Sequence, residues 1–143
     1  MKTGGSIQHF RDLRVYQQGR DVAMRVFQRS RDWPAEERYS LTSQIRRSSR
    51  SVCANIAEVW RKRRYEAHFI SKLSDADAEA AERQSWLDFA LLSRYISQQE
   101  FDELDRIYET ISGGLVRMMV EPQKWCGPAN MVREESVEYD VEP

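Results

Sequence analysis

The sequence predicts an all-α fold: an antiparallel, up-down-up-down four-helix bundle. Three observations carry this. Four segments of about 20 residues place apolar side chains three and four residues apart, the period of an amphipathic helix. The 143 residues contain six Gly and four Pro, and two of those Pro lie at 128 and 143. The rest of the chain is therefore nearly free of helix breakers. The connectors are short, and short connectors between long helices make consecutive helices antiparallel neighbours.

The first helix is expected over about 11–31. Its stripe is Leu13, Val15, Tyr16, Val22, Ala23, Val26 and Phe27. Gly19 interrupts it, at a cost of about 1 kcal/mol relative to alanine, and either marks a close helix contact or is simply tolerated. Trp33-Pro34 stops the helix, because a residue before proline is driven from the α region.

The second helix is expected over 37–64, with Leu41, Ile45, Ser48, Val52, Ile56 and Val59 on its inner face. Either Ser40 or an acidic residue of 35–37 begins it. Tyr65 marks the turn into a third helix, from Glu66 to about Tyr95. Its stripe is Phe69, Ile70, Leu73, Ala76, Ala80, Leu87, Ala90 and Leu91, widened by Trp86 and Phe89. The alanine-rich stretch 75–82 suits close packing on a neighbour.

The fourth helix is expected over 98–119. Acidic residues crowd its first turns, where the helix dipole favours anions. Phe101, Leu104, Ile107, Tyr108, Ile111, Leu115 and Met118 face inward. Gly113-Gly114 reads as a kink or a close-packing point, and Pro122 ends the helix. The bundle is thus assigned to 7–120, with flexible tails at 1–6 and 121–143.

The net charge of −1 hides strong segregation. Residues 38–64 carry eight Arg or Lys against one Glu, whereas 65–112 carry four against eleven Asp or Glu. The local field, not the total, decides whether a polyanion binds. Cys53 and Cys126 have no metal-ligand spacing and read as free thiols in a reducing cytoplasm. The sequence shows no signal-peptide pattern. No window approaches the roughly 18 apolar residues of a membrane span, so no membrane partner is expected.

The candidate binding residues are Arg46, Arg47, Arg50, Arg61, Lys62, Arg63 and Arg64. Guanidinium forks match phosphate oxygens, and a basic strip grips a nucleic-acid backbone without reading sequence. Trp60 and Tyr65 stand beside it as stacking platforms for unpaired bases. The competing reading pairs these arginines with Asp and Glu of the third helix or of an adjacent subunit. Asn55 and Glu58, one turn apart, read as a structural network with Glu58 paired to an arginine.

No catalytic set is visible. His9 and His68 lack ligand spacing. Asp75, Asp77, Glu79 and Glu82 lack the Glu-x-x-His pattern of di-metal bundles. There is no glycine-rich phosphate loop and no G-x-S-x-G. No metal, no cofactor and no enzymatic activity are expected.

Three stretches carry a family resemblance. They are FRDLRVYQQGRDVAMRVF, SLTSQIRRSSRSVCANIAEVWRKRR and FISKLSDADAEAAERQSWLDFA. Asp12, Leu13, Val15, Tyr16 and Gln17, then Gln44, Ile45, Arg46 and Arg47, then Ser51, Asn55, Ile56, Ala57 and Glu58 match the typical pattern. Over about residues 8–120 the chain resembles the bacterial four-helix-bundle family of the 23S rRNA intervening-sequence (S23) protein. A related branch supplies the accessory protein of diversity-generating retroelements. The resemblance implies an all-helical subunit that assembles into a homopentamer. It also implies RNA or a ribonucleoprotein, and in the related branch a reverse transcriptase, as partners. The chain departs from the pattern after Glu58, where Val59-Trp60 replace the usual glycine and remove a natural helix stop.

The expected function is therefore a non-enzymatic oligomeric scaffold that binds RNA or a ribonucleoprotein through its basic face. The alternative is a structural interaction module whose charges serve self-assembly.

Overall fold

The computed structural model describes residues 7–127. Four helices carry the architecture: α1 (Arg14–Arg29), α2 (Leu41–Arg61), α3 (Glu66–Leu92) and α4 (Gln98–Val120). Each packs on its neighbours in sequence, and α1 returns to α4 to close the bundle. Among the described residues there is no strand. No helix of the described residues is long and apolar enough to cross a membrane.

Side chains set the helix ends. A capping box precedes α1. His9 Nδ1 accepts from the Arg11 amide at 3.2 Å, and Asp12 accepts from the His9 amide at 3.1 Å. His9 is thus a capping residue. At the start of α2, Ser40 is the N-cap residue without a side-chain cap bond, and the Glu37 carboxylate accepts from the Leu41 amide at 3.3 Å. The other Glu37 oxygen accepts from the Tyr95 hydroxyl at 2.8 Å, tying the α1–α2 connector to the α3–α4 turn.

That second turn is a Schellman motif. The Tyr95 amide donates to Ala90 O and the Arg94 amide to Leu91 O, both at 2.9 Å. Arg94 occupies the left-handed position at φ 64°, where glycine is favoured. A Ser97/Glu100 capping box then starts α4.

The expected stripes meet in one core. Ile45, Val52 and Ile56 of α2 are sealed against Phe69, Leu73 and Ala76 of α3 and against Tyr108, Ile111 and Leu115 of α4. Full burial of each large apolar side chain contributes about 1.5–3 kcal/mol. Ser48 and Ser49 join this core because their hydroxyls bond backward, to Gln44 O at 2.9 Å and Ile45 O at 2.7 Å.

Gly114 permits the close approach of α4 to α1. A Cβ there would lie 2.6 Å from Val15 Cγ1. The helix continues without interruption through Gly113-Gly114 to Val120. Of the two readings of this pair, close packing is the one found, and it belongs to Gly114.

Two expectations need correction. The second helix ends at Arg61, not at residue 64, with Lys62 as its C-cap. Arg63 and Arg64 therefore lie in the turn, and Val59-Trp60 did not prolong the helix past it. The segment 121–127 was assigned to a flexible tail, but it docks. Pro122–Lys124 form a 3-10 turn, Cys126 is buried, and Trp125 packs on the core. The Gly127 amide donates to Arg63 O at 3.1 Å. The remainder of that tail, and residues 1–6, lie outside the described residues. Arg83, which the sequence pattern did not single out, is 0% exposed and lies in the core.

Candidate nucleic-acid interface

The outer face of α2 points away from the core. Arg46, Arg47 and Arg50 fence a shallow groove of about 490 Å³, whose floor is made of small residues such as Thr42, Ser43 and Ala54. Arg38, which precedes the helix, closes one end. Arg61 is exposed eleven residues beyond Arg50. Eleven residues make close to three helical turns, so it continues the same face about 16 Å further on.

The guanidinium of Arg46 is positioned by α1. Its Nε donates to Ser30 Oγ at 2.8 Å, and its Cζ lies 4.8 Å from the centre of the Phe27 ring. Arg50 Cζ lies over the same ring at 5.7 Å. Partial burial lowers the Arg46 pKa, and the like charges of Arg50 and Arg31 add to the effect. It remains a cation in a cluster of cations. Phe27 thus aligns two charges on its π face, a role its place in the α1 stripe did not reveal.

The intramolecular salt-bridge reading meets little support in this groove. Among the described residues, no carboxylate lies within 4.0 Å of Arg38, Arg46 or Arg50. Arg47 reaches Glu82 of α3 only at 3.9 Å, and its other contact is Gln44 Oε1 at 3.3 Å. Shorter ion pairs between helices lie outside the groove: Arg29–Glu100 and Arg25–Glu103 join α1 to α4, and Lys72–Glu58 joins α3 to α2.

The turn after α2 divides the remaining candidates. Lys62 and Arg64 are exposed. Arg63 is 3% exposed, its Cζ 3.5 Å from the Trp60 ring centre and its Nε donating to Trp60 O at 2.6 Å. Arg63 thus leaves the basic strip, and buried Trp60 leaves the set of stacking platforms. Tyr65, 58% exposed, stays available and meets His68 edge-on at 5.4 Å.

Asn55 and Glu58 take part in local structure. Asn55 Nδ2 donates to Ser51 O at 2.9 Å. Glu58 bridges to Lys72 of α3 at 3.1 Å, so its partner is a lysine and not an arginine. Asn55, Asp75, Glu79 and Glu82 line a second groove of opposite charge. No group of three or more His, Cys, Asp or Glu among the described residues is placed to hold a metal ion. Burial pushes the Cys53 thiol up to about 11, which keeps it protonated and poorly nucleophilic at neutral pH.

Two residues of the interface were not singled out from the sequence. Arg38 stands outside the helical pattern that organised the other arginines. Phe27 gave no signal apart from its apolar character.

The fold and its outer face define a helical-bundle protein with one basic helix surface. The model of the 23S rRNA-intervening sequence protein family matches residues 11–117, and the chain belongs to that family. Its fold is similar to the crystal structure of a protein of unknown function from the S23 ribosomal protein family of Bacteroides thetaiotaomicron. The two share 25% identity and a TM-score of 0.65, over 73% of this chain and 94% of that one. A search of curated proteins returns no match.

Proposed function

We propose that this protein is a non-enzymatic scaffold of the cytoplasm that binds structured RNA, alone or in a ribonucleoprotein, through the outer face of α2. The observation that carries the reading is the groove of Arg38, Arg46, Arg47 and Arg50, in which three of the four guanidinium groups have no carboxylate within 4.0 Å among the described residues. Phosphate oxygens are the natural counter-charge for such a cluster. Arg61, Lys62, Arg64 and the exposed Tyr65 extend the surface to the α2–α3 turn. No base-reading geometry is needed, because phosphate contacts position without specifying sequence.

The test is the affinity of a structured RNA hairpin at low salt for the wild type and for Arg38→Glu/Arg47→Glu/Arg50→Glu. The triple reversal leaves the Arg46–Ser30 contact intact. It is expected to weaken binding by more than about 100-fold, with the helical circular dichroism unchanged. A wild type without affinity at low salt ends the proposal.

A specific observation also favours self-association. Trp86, Phe89 and Leu92 recur every three residues on α3; Phe89 and Leu92 are exposed, and the Trp86 and Phe89 rings are 6.2 Å apart. An exposed apolar patch marks an interaction surface. We read it as a contact between copies of this chain. A pentamer in solution by analytical ultracentrifugation, lost in Phe89→Glu/Leu92→Glu, is the expected result. If instead the triple arginine reversal dissociates the oligomer with RNA binding unaffected, the charges serve assembly alone.

A further inference from the structure

We propose that the acidic strip of α3 in one copy of this chain docks on the arginine groove of α2 in a second copy, so that self-association and RNA compete for the same guanidinium groups. The docking rests on the self-association reading above and names the surface it uses; the competition rests also on the RNA-binding reading.

The strip lies on the outer side of α3. Asp75, Ala78, Glu82, Trp86 and Phe89 follow one another at steps of three and four residues, which keeps them on one helix face. Its carboxylates are only loosely matched within the chain. Asp75 reaches Lys72 at 3.8 Å and Glu82 reaches Arg47 at 3.9 Å, and the two carboxylate side chains keep 59% and 37% exposure. Over its whole length α3 carries six acidic residues against two Lys or Arg, whereas α2 carries four arginines against one Glu. The strip and the groove are thus opposite in sign.

The heights also agree. α2 and α3 run antiparallel, and the Arg47–Glu82 contact sets those two residues level. The Glu58–Lys72 pair at 3.1 Å keeps the same register three turns further on. Counting from Arg47 and Glu82 in opposite directions, Arg50 is level with Glu79 and Ser43 with Trp86. Tyr39, just ahead of α2, comes near the height of Phe89. A cyclic assembly whose axis runs parallel to the helices leaves every residue at its own height, whatever the number of copies. α3 of one copy, set against α2 of the next, therefore brings Glu82 to the level of Arg46 and Arg47, and Phe89 to the level of Tyr39.

Phe89 and Tyr39 are 52% and 88% exposed, and an edge-on or offset contact between their rings removes apolar surface of both from water. The groove floor is built of small side chains and leaves room for the incoming ones. A second copy of this chain thus supplies the opposite charge, the height and the aromatic partner together. Docking covers Arg46, Arg47 and Arg50, the groups that the RNA-binding reading assigns to phosphate. A groove that holds α3 is closed to RNA, and bound RNA excludes the neighbouring copy.

The test is sedimentation of the full-length chain at low salt, without RNA. Arg47→Glu/Arg50→Glu and Asp75→Lys/Glu82→Lys each set like charges against one another, and each is expected to weaken association more than about tenfold. Arg47→Glu/Arg50→Glu/Asp75→Lys/Glu82→Lys in one chain exchanges the two signs and is expected to restore the wild-type oligomer. A wild type that stays monomeric overturns the docking and the self-association reading together. An oligomer lost in Phe89→Glu/Leu92→Glu but unaffected by either charge reversal overturns the docking alone. So does a fourfold exchange that stays monomeric with its helical circular dichroism intact. The competition is read by adding the RNA hairpin to the wild type, which is expected to dissociate the oligomer as it binds. RNA bound to an intact oligomer overturns the competition alone, and an absence of binding overturns it together with the RNA-binding reading.

Discussion

The guanidinium of Arg83 lies 4.0 Å from the centre of the Tyr108 ring, in the sealed interface between α3 and α4. Its terminal nitrogens donate back to Glu79 O and Ala80 O of its own helix, and its Nε has no partner among the described residues. Desolvation lowers the Arg83 pKa, against the opposing effects of Tyr108, Glu79 and Glu82. Burial pushes the Tyr108 hydroxyl up, and Arg83 opposes that rise.

Glu79 makes this cation hard to remove alone. Its Oε2 is buried with no hydrogen-bond partner among the described residues. Arg83→Met would leave that carboxylate without its neighbouring positive charge. The substitution is expected to destabilise the bundle by about 3 kcal/mol. Arg83→Met/Glu79→Gln is expected to recover more than half of the loss. Urea denaturation of the two variants and of Glu79→Gln closes the cycle; strict additivity would show that the two residues are not coupled.

Adjacent glycines in α4 should respond in opposite directions. A Cβ at Gly113 meets only Arg117, a flexible side chain, at 3.7 Å. Gly113→Ala is expected to stabilise by about 0.5–1 kcal/mol through helix propensity. A Cβ at Gly114 would press on Val15 at 2.6 Å. Gly114→Ala is expected to destabilise by about 1–3 kcal/mol through overpacking. Thermal melts of both variants check the pair.

Arg94 holds a left-handed conformation at φ 64° in the turn between α3 and α4. A non-glycine residue there costs about 1–2 kcal/mol. Arg94→Gly is expected to raise the melting temperature by a few degrees. An unchanged or lower value would mean that the arginine side chain stabilises the turn by other contacts.

The Arg29–Glu100 pair gives the protein part of its acid sensitivity. The hydrogen bond from Arg29 holds the Glu100 carboxyl below its ordinary value of 4.5, helped by the Ser97 amide. A depressed folded-state pKa means that the unfolded chain binds the proton more readily. The associated stability is present above about pH 4.5 and is lost as pH falls through and below that value. Glu100→Gln keeps an acceptor for the helix cap but not the charge. Its stability is expected to fall less steeply between about pH 5 and pH 3, as measured by urea midpoints across that range.

The helices were legible because their apolar positions kept the 3.6-residue period, and Pro34 and Pro122 stopped two of them. The exceptions have identifiable causes. Arg83 fills the slot between Ala80 and Leu87 at steps of three and four, so the period itself marked it as inward-facing; its charge argued the other way. Arg63 stood in a run of four cations, and only the stop of α2 at Arg61 separates its fate from that of Arg64. The fold of Trp125 and Cys126 onto the bundle depends on that same turn, through Gly127 and Arg63 O. The basic stripe was visible in Arg46, Arg47 and Arg50, but not the choice between phosphate and carboxylate. That choice depends on distances between helices, which no local pattern encodes.

The measurement closest to the central claim is the salt dependence of RNA binding. Each phosphate neutralised contributes about −0.7 to −0.9 to the slope of log K against log salt. Four groove arginines acting on phosphates contribute about −3 to the slope of the wild type. Arg38→Gln/Arg46→Gln/Arg47→Gln/Arg50→Gln should bind more weakly, with a slope shallower by about 3. An identical slope in the wild type and in the quadruple variant would contradict the assignment of this face to RNA.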